Sequence, residues 1–410
     1  MDAAQTARAA DRPNGTPSLP EGAVRMTRPP LARHLAGLGT TIFAEMSALA
    51  RSSGAINLGQ GFPDTDGPAE VIEAAVAAMR AGANQYPPGD GIPDLRLAVA
   101  EHRRRFYGQT FDPDSEILVT TGATEAIAAT LLALLEPGDE VIALEPFYDS
   151  YAACIAMAGA RRVGVTLRPP HFRPDLDELR AAVTARTRVL MLNSPHNPTG
   201  TVLTRAELEA VAAVAIEHDL IVVTDEVYEH LVYTGEHIPI STLSGMRERT
   251  VTISSAGKTF SFTGWKVGWV CAPRELIAAV RTTKQFLTYA GGAPFQPAIA
   301  HALRLPDEYF TGLRDELRHK RDLLTGGLEA AGLTVFEPQG TYFTTTDITA
   351  LGYSDGLDFC RRLPGLCQVV AVPEVVFFDD TEVGRPLVRF AFCKRVEVLE
   401  EAVKRLATLA

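Results

Sequence analysis

Long apolar runs are missing from this sequence. The nearest, Ala126 to Leu135, is stopped by Glu136-Pro137-Gly138-Asp139, short of the roughly 20 residues a membrane-crossing helix needs. A surplus of positive charge is missing too. With 39 Lys and Arg against 50 Asp and Glu the net charge is -11, which argues against nucleic acid or an anionic membrane as the main partner. Cysteine is scarce: five residues, at 154, 271, 360, 367 and 393, include no Cys-x-x-Cys pair. That usage fits a reducing compartment, where the thiol serves as a small core residue, and a Cys360–Cys367 bridge is not expected. His196 has no His or Cys at ligand spacing, so no metal is expected. The first thirty residues carry Asp2, Asp11 and Glu21 and no apolar core of a secretory leader, so residues 1–30 read as a flexible tail. A cytoplasmic protein with neither nucleic acid nor membrane as partner is expected.

What is present is ordinary globular material, 410 residues with 46% hydrophobic and 22% charged content, long enough for more than one structural unit. Short apolar strands alternate with helices. Strands are expected at Glu116–Thr120, Glu140–Leu144, Arg188–Leu192, Leu220–Thr224 and Thr250–Ser254, and helices at Thr124–Leu135, Asp149–Ala158 and Arg205–His218. A short helix is expected earlier, over Thr41–Ala50. This alternation implies an α/β fold with a mostly parallel sheet covered on both faces, and ligands bind such sheets beyond the carboxyl ends of the strands. From about Pro306 the pattern changes to a long charged helix (Glu308–Leu324), short strands around Thr334, Tyr342 and Val388, and a final helix (Val396–Leu409). The expected organisation is a large domain over 61–305, a smaller α+β domain over 306–410, and a segment 31–60 packed with the latter.

Several strand ends carry residues suited to chemistry. Thr121-Gly122-Ala123-Thr124-Glu125 joins a strand to a helix, where free N–H groups and the helix dipole hold phosphate; the same pattern also serves as a plain helix cap. In Asn193-Ser194-Pro195-His196-Asn197-Pro198-Thr199-Gly200 two prolines stiffen a turn and Asn197 offers an amide above the sheet, or the loop is merely rigid. Asp225, in Thr224-Asp225-Glu226-Val227-Tyr228, ends an apolar strand; burial there calls for a facing cation, unless it is a structural cap. Lys258 follows the strand Val251-Thr252-Ile253 in a turn of small residues that leaves it unshielded, and Lys266 comes eight positions later. An amine at a strand end with a second cation close behind suits Schiff-base chemistry on an anionic cofactor, with Ser255 donating to its phosphate. Arg389, in the apolar strand Leu387-Val388-Arg389-Phe390-Ala391-Phe392, invites a bidentate carboxylate from a substrate or from the protein.

Taken in this order, these motifs resemble the pyridoxal-phosphate-dependent aminotransferases of fold type I. The likeness is to the branch that includes kynurenine and methionine aminotransferases, and within it to actinobacterial succinyldiaminopimelate aminotransferases. It runs from about Ala32 to the C-terminus. Thr41-Ile-Phe-Ala-Glu-Met-Ser-Ala-Leu-Ala50, Asn57-Leu-Gly-Gln-Gly-Phe-Pro63, Asn84-Gln-Tyr-Pro-Pro88 and Gly291-Gly-Ala-Pro-Phe-Gln-Pro297 carry the closer match. The resemblance implies a seven-stranded sheet in the large domain, pyridoxal 5'-phosphate as cofactor, and a homodimer with active sites at the interface. It also implies that Lys258 binds the cofactor covalently and that Asp225 pairs with its pyridine nitrogen. Asn197 and Tyr228 would bond the ring oxygen, and Tyr148 would stack on the ring. Gly122, Ala123, Thr124, Ser255 and Lys266 would hold the phosphate, with Tyr86 reaching over from a second subunit. Arg389 and Gly61, with Asn197 beside them, would take the substrate carboxylate. Lys266 stands where some relatives have arginine, giving a point charge in place of a fork.

The implied reaction moves the α-amino group of an amino acid to a 2-oxo acid such as 2-oxoglutarate. Candidate donors are N-succinyl-L,L-diaminopimelate and an aromatic or sulfur amino acid. Tyr289, Phe295 and Phe378 either line a pocket for such a side chain or pack in the core or a dimer interface. The same cofactor also supports β- or γ-elimination and carbon–carbon bond formation in specialised biosynthesis, and aminotransferase-like domains occur as regulators. Nothing before Ala32 is patterned as a helix-turn-helix.

Overall fold

The computed structural model describes residues 31–39 and 41–409, so the tail expected over 1–30 lies outside the described residues. A two-residue strand, β1 (Ile56–Asn57), precedes the main sheet. That sheet contains β2 (Ile117–Thr120), β3 (Glu140–Glu145), β4 (Arg161–Thr166), β5 (Thr187–Asn193), β6 (Ile221–Asp225), β7 (Thr250–Ser255) and β8 (Gly268–Cys271). A second group follows: β9 (Thr334–Phe336), β10 (Phe343–Asp347), β11 (Val369–Val370), β12 (Val372–Pro373) and β13 (Leu387–Ala391).

The main sheet has the order β2-β8-β7-β6-β5-β3-β4, parallel throughout except for the two pairings made by β8. Alternate side chains enter cores on opposite faces, as the twofold period of a strand requires. Val141, Val189, Val223 and Val251 meet the helices Gly122–Leu134 and Asp149–Met157, while Ile142, Leu190 and Val222 meet Arg205–Glu217. Burial of both faces is why these strands read as unbroken apolar runs. β4 and β8 do not read so. β4 lies at the sheet edge with its first residues open to solvent, and β8 has only four residues.

Helix boundaries follow local chemistry. Thr204 and Glu207 form a reciprocal capping box at the start of Arg205–Glu217, and Thr41 caps Ile42–Ser53 by accepting from Ala44 N–H. In the second, four-stranded antiparallel sheet the order is β12-β13-β10-β9, while β1 pairs in parallel with β11. The helix over this sheet, Asp307–Ala330, is longer than the sequence pattern indicates. Its core takes Leu324 and Leu328 from that helix, Leu399 and Leu406 from Val396–Leu406, and Met46 and Ala50 from Ile42–Ser53. The same core includes Val227, Tyr228 and Leu231 from the loop after β6, so the two sheets meet through that loop. Among the described residues, no helix is long and apolar enough to cross a membrane.

Strand direction places the chemistry. β2, β3, β5, β6 and β7 run the same way and end on one rim. β8 runs against them, so its beginning lies there, and Lys266, two residues before it, joins the residues that follow the other strands. Gly268 pairs with Thr120 on one side and Ser255 on the other. A side chain at Gly268 is excluded, since its Cβ would fall 2.6 Å from the Gly122 carbonyl carbon.

Candidate active site

Along this rim lies a cavity of about 300 Å³. Gly122, Ala123, Thr124, Tyr148, Asn197, Asp225, Tyr228, Ser255, Lys258 and Lys266 line it from the main sheet, and Gly61 and Arg389 from the opposite side. Every site residue expected from the sequence therefore converges here except Tyr86. That residue is 83% exposed, rests edge-on against Tyr289 at 5.8 Å, and lies outside the cavity.

At one end the first amides of the Gly122–Leu134 helix face Lys266. Gly122 has φ +75°, and a Cβ there would stand 3.1 Å from Lys266 Cε and 3.2 Å from its Nζ. Backbone conformation and close approach both restrict this position to glycine. Lys266 itself adopts a left-handed conformation (φ 54°) that turns it back over the helix start. Amide donors, the helix dipole and an ammonium group converge in a place suited to a doubly charged oxyanion.

At the centre the sequence expectation for Lys258 needs correction. Its stretch is no exposed turn: Ala256–Thr259 forms a short helix, and Lys258 is half-buried inside the cavity. The small residues beside it offer no shield; the shield comes from elements distant in sequence. Lys258 Nζ has one weak hydrogen bond, to the Gly61 carbonyl at 3.4 Å, and stands 5.8 Å from the Tyr228 ring centroid. Burial, reinforced by the Arg389 and Lys266 charges and opposed by Asp225 and Cys393, pulls its pKa down to about 8.

Asp225 is buried at the end of β6 and, among the described residues, has no cation within 4.0 Å. Its Oδ2 accepts from Tyr151 Oη at 2.7 Å, and its backbone carbonyl accepts from Asn193 Nδ2 at 2.8 Å. Burial raises its pKa, against the Tyr151 and Val227 hydrogen bonds. A carboxylate in that state is stabilised by a cation arriving in the cavity. Burial likewise moves the Tyr148 phenol up to about 12 and the Tyr228 phenol further, so both stay neutral hydrogen-bonding groups.

At the far end Arg389, on β13, is 2% exposed. Its Nη1 donates to Asn197 Oδ1 at 2.9 Å and its Nη2 to the Gly59 carbonyl at 3.1 Å, and its guanidinium carbon lies 3.9 Å from the Phe343 ring centroid. Gly61 fits tightly: a Cβ would fall 2.3 Å from Phe343 Cζ. Its carbonyl accepts from Lys258 and from Tyr342 Oη.

Sequence reasoning missed several contributors. Tyr151 stands one helical turn after Tyr148, a spacing that in retrospect signals a shared face. Phe43, Gln60, Phe62 and Phe343 line the cavity, whereas Tyr289, Phe295 and Phe378 do not. Phe295 stacks on Trp265 and Phe378 is buried in the core behind β3 and β5. Behind Asp225, Arg103 Nη1 pairs with Glu226 Oε2 and Glu229 Oε2, both at 3.0 Å and fully inside the protein. Ligand-type atoms of Glu226, Glu229 and His237 lie within 4.8 Å of one another there, but Arg103 already supplies the cation.

Comparison with known proteins gives consistent relatives. Residues 53–406 match the family model of class I and II aminotransferases. The chain is 54% identical over 382 residues to a probable N-succinyldiaminopimelate aminotransferase of Mycobacterium tuberculosis, covering 90% of this chain and 96% of that protein. A solved structure of the M. tuberculosis enzyme superposes with a TM-score of 0.91 over 93% of this chain and 100% of the other, at 54% identity. Methionine aminotransferase of Escherichia coli is 43% identical, with 94% and 100% of the two chains covered. Mouse kynurenine–oxoglutarate transaminase 3 is 38% identical, with 90% and 88% covered.

Proposed function

The chain belongs to the class I and II aminotransferases and is a transaminase; on that premise we propose pyridoxal 5'-phosphate as its cofactor and Lys258 as the residue that binds it. One observation carries the proposal: a half-buried amine, a buried carboxylate with no ion-pair partner among the described residues and an anion-accepting helix start share one cavity. Those residues fit the group. Asp225 would balance a protonated pyridine nitrogen, with Tyr151 holding the carboxylate in place. Asn197 and Tyr228 would bond the ring oxygen and Tyr148 would cover the ring. Gly122, Ala123, Thr124, Ser255 and Lys266 would hold the phosphate. We also propose a homodimer in which Tyr86 completes the phosphate site of the partner. Exposed Tyr86, Tyr289, Phe286 (82%) and Leu287 (45%) support it, since soluble monomers seldom expose clustered large apolar side chains. The shared core around Met46, Tyr228 and Leu399 supports a small unit over 306–410 with 31–60 packed on it, beside a large unit over 61–305.

When bound, the cofactor supplies an electron sink for the pair left on the substrate Cα as its proton departs. Arg389 receives the substrate α-carboxylate beside Gly61 and Asn197 and so fixes the orientation of Cα. Lys258 Nζ takes the Cα proton and returns it on the other side of the transfer. A pKa near 8 raises the neutral fraction of this amine at pH 7 to about a tenth, from a few parts in ten thousand for a free lysine. The same shift gives a measurable result. Capture of pyridoxal phosphate by the apo-protein, followed by absorbance, should accelerate as pH rises through about 8 and level off above it, because only the neutral amine is nucleophilic. A rate that still climbs tenfold per unit beyond pH 9 would place the amine back at its solution value.

For the donor we propose an amino acid with an aromatic or thioether side chain and, for the acceptor, a 2-oxo acid such as 2-oxoglutarate. With Lys266 at the phosphate and Arg389 at the α-carboxylate, the cavity lining offers no third cation besides Lys258 among the described residues. The remaining lining includes Phe43, Phe62 and Phe343. N-succinyl-L,L-diaminopimelate is the second reading, favoured by the 54% identity to the mycobacterial protein. It carries further carboxylates that need cations from elsewhere. A donor panel of kynurenine, phenylalanine, methionine and the succinylated diamine, with 2-oxoglutarate as acceptor and keto-acid formation as readout, separates the two. Preference for the succinylated donor by tenfold or more in kcat/KM overturns the first; no transfer from any donor overturns both.

A further inference from the structure

Glu374 is a fully buried carboxyl close to Arg389 and outside the cavity lining. It begins the short turn Glu374–Phe377 directly after β12 and is 0% exposed. Its Oε1 accepts from Thr345 Oγ1 at 2.6 Å, and its Oε2 is buried without a partner. β12 and β10 flank β13, and Arg389 is paired in register with Val372 on one side and Thr345 on the other. Arg389 also keeps one buried atom, Nε, without a partner, and its two terminal nitrogens meet only neutral oxygens. No carboxylate oxygen lies within 4.0 Å of this guanidinium among the described residues. Two buried side chains of opposite sign thus stand close together, Arg389 on β13 and Glu374 just past the end of the neighbouring β12, each incompletely satisfied and short of direct contact.

We propose that Glu374 is the resident counter-charge of Arg389, and that seating a substrate carboxylate on Arg389 is coupled to uptake of a proton from solvent by Glu374. The inference rests on Arg389 as the carboxylate receiver. An isolated buried carboxylate is unfavourable; the ionised form of Glu374 is favoured by the Thr345 hydrogen bond and by the field of Arg389, and of these only the field changes when a ligand carboxylate arrives. Once a ligand carboxylate neutralises that field, the ionised form loses its support and the neutral acid takes over. Other groups facing Glu374 do not substitute. Thr345 on β10 offers one hydroxyl, and Cys360 on the helix Gly356–Cys367 a thiol that burial keeps protonated. Phe43 and Phe377 present ring faces to Arg389. Glu382, on Thr381–Gly384, turns to Arg385, and Glu45, on Ile42–Ser53, to Arg361. In the free protein burial lifts the Glu374 carboxyl to about 7, against the Thr345 hydrogen bond and Arg389, so the transition falls in an accessible range.

Sign and size follow. A group whose pKa rises on binding makes binding weaken as pH climbs from its free towards its bound value. For a rise of about one unit, affinity for a carboxylate falls about tenfold between pH 6 and pH 9, and near pH 7.5 about half a proton is taken up. The test is calorimetric titration of the holoenzyme with 3-phenylpropanoate, which has no amine, in two buffers of different ionisation enthalpy. Protonation of the cofactor–lysine linkage is read from absorbance and subtracted. The expected result is a remainder of about half a proton in the wild type and none in Glu374→Gln, whose affinity stays flat across the range after the same correction. A wild-type remainder of zero overturns the proposal, and so does an unchanged remainder in Glu374→Gln. If that variant does not fold, the wild-type count alone decides. Arg389→Ala serves as the control: undiminished 3-phenylpropanoate binding overturns the reading of Arg389 itself, whereas weakened binding in that variant together with a wild-type proton remainder of zero overturns only the role of Glu374.

Discussion

A Lys258→Ala protein should turn over amino acid at least about 10⁴-fold more slowly than the wild type while remaining folded. The rate loss combines removal of the proposed covalent anchor with removal of the group proposed to carry the Cα proton, a general-base contribution of about 10²–10⁴ by itself. Stability should not suffer. The amine makes one hydrogen bond, at 3.4 Å, and burial disfavours its charge, so its removal relieves an unfavourable electrostatic environment. Multiple-turnover kinetics and thermal unfolding of the apo-protein test both halves. A variant with near-normal turnover contradicts the role assigned to this residue, and one whose apo-protein unfolds more than a few degrees below the wild-type apo-protein contradicts the stability argument.

Arg103→Met is expected to have the largest effect on folding, about 3–5 kcal/mol in a denaturant titration, because it leaves two buried carboxylates without their cation. In the wild type, burial raises the Glu229 carboxyl, but Arg103 together with His102, His230 and His237 outweighs it and holds the group at about 2. Arg103 also donates through Nε and Nη2 to Gln109 Oε1 at 2.9 and 2.6 Å, and Glu229 Oε1 accepts from Ser254 Oγ at 2.6 Å. The pH dependence should change sign. In the wild type, Glu229 has a depressed pKa, so its contribution is present above its unfolded value of about 4.3 and is lost as pH falls towards 2. In Arg103→Met the buried Glu229 carboxyl, without its arginine, is expected to titrate above that value, so the variant gains relative stability as pH is lowered from neutral towards 5. A loss below 1 kcal/mol, or a variant that is relatively weakest at pH 5, rejects this account. Glu226 and Glu229 bracket Val227 and Tyr228 immediately after Asp225, so the same ion cluster fixes the loop on which two proposed cofactor contacts stand.

The candidate site was legible to the extent that its residues follow buried strands. Asp225, Asn197, Ser255 and Lys258 each come directly after an apolar run, and in a parallel sheet such positions share one rim. Lys266 was found by proximity to Lys258, although its place on the rim depends on β8 running backwards, which four residues with no distinctive pattern do not announce. Arg389 was legible as a charge in an otherwise apolar strand. Its neighbours Glu374 and Thr345 were not, because one follows the flanking strand β12 and the other lies on β10, and neither sits in a recognisable motif.

Contiguous residues were enough to establish the α/β class, the order of most strands and helices, and the resemblance through which the chemistry was expected. Tertiary structure decided what depends on burial and on partners far along the chain. Arg103 meets Glu226 across 123 positions and Arg389 meets Asn197 across 192. Only that assembly gives the Lys258 amine a half-buried place, Asp225 a buried one with no cation within 4.0 Å among the described residues, and Glu374, just past β12, an arginine on the adjacent β13. A pKa is set by the local dielectric and the charges within a few ångströms, and in a folded chain those are properties of the contact map, not of adjacency in the sequence.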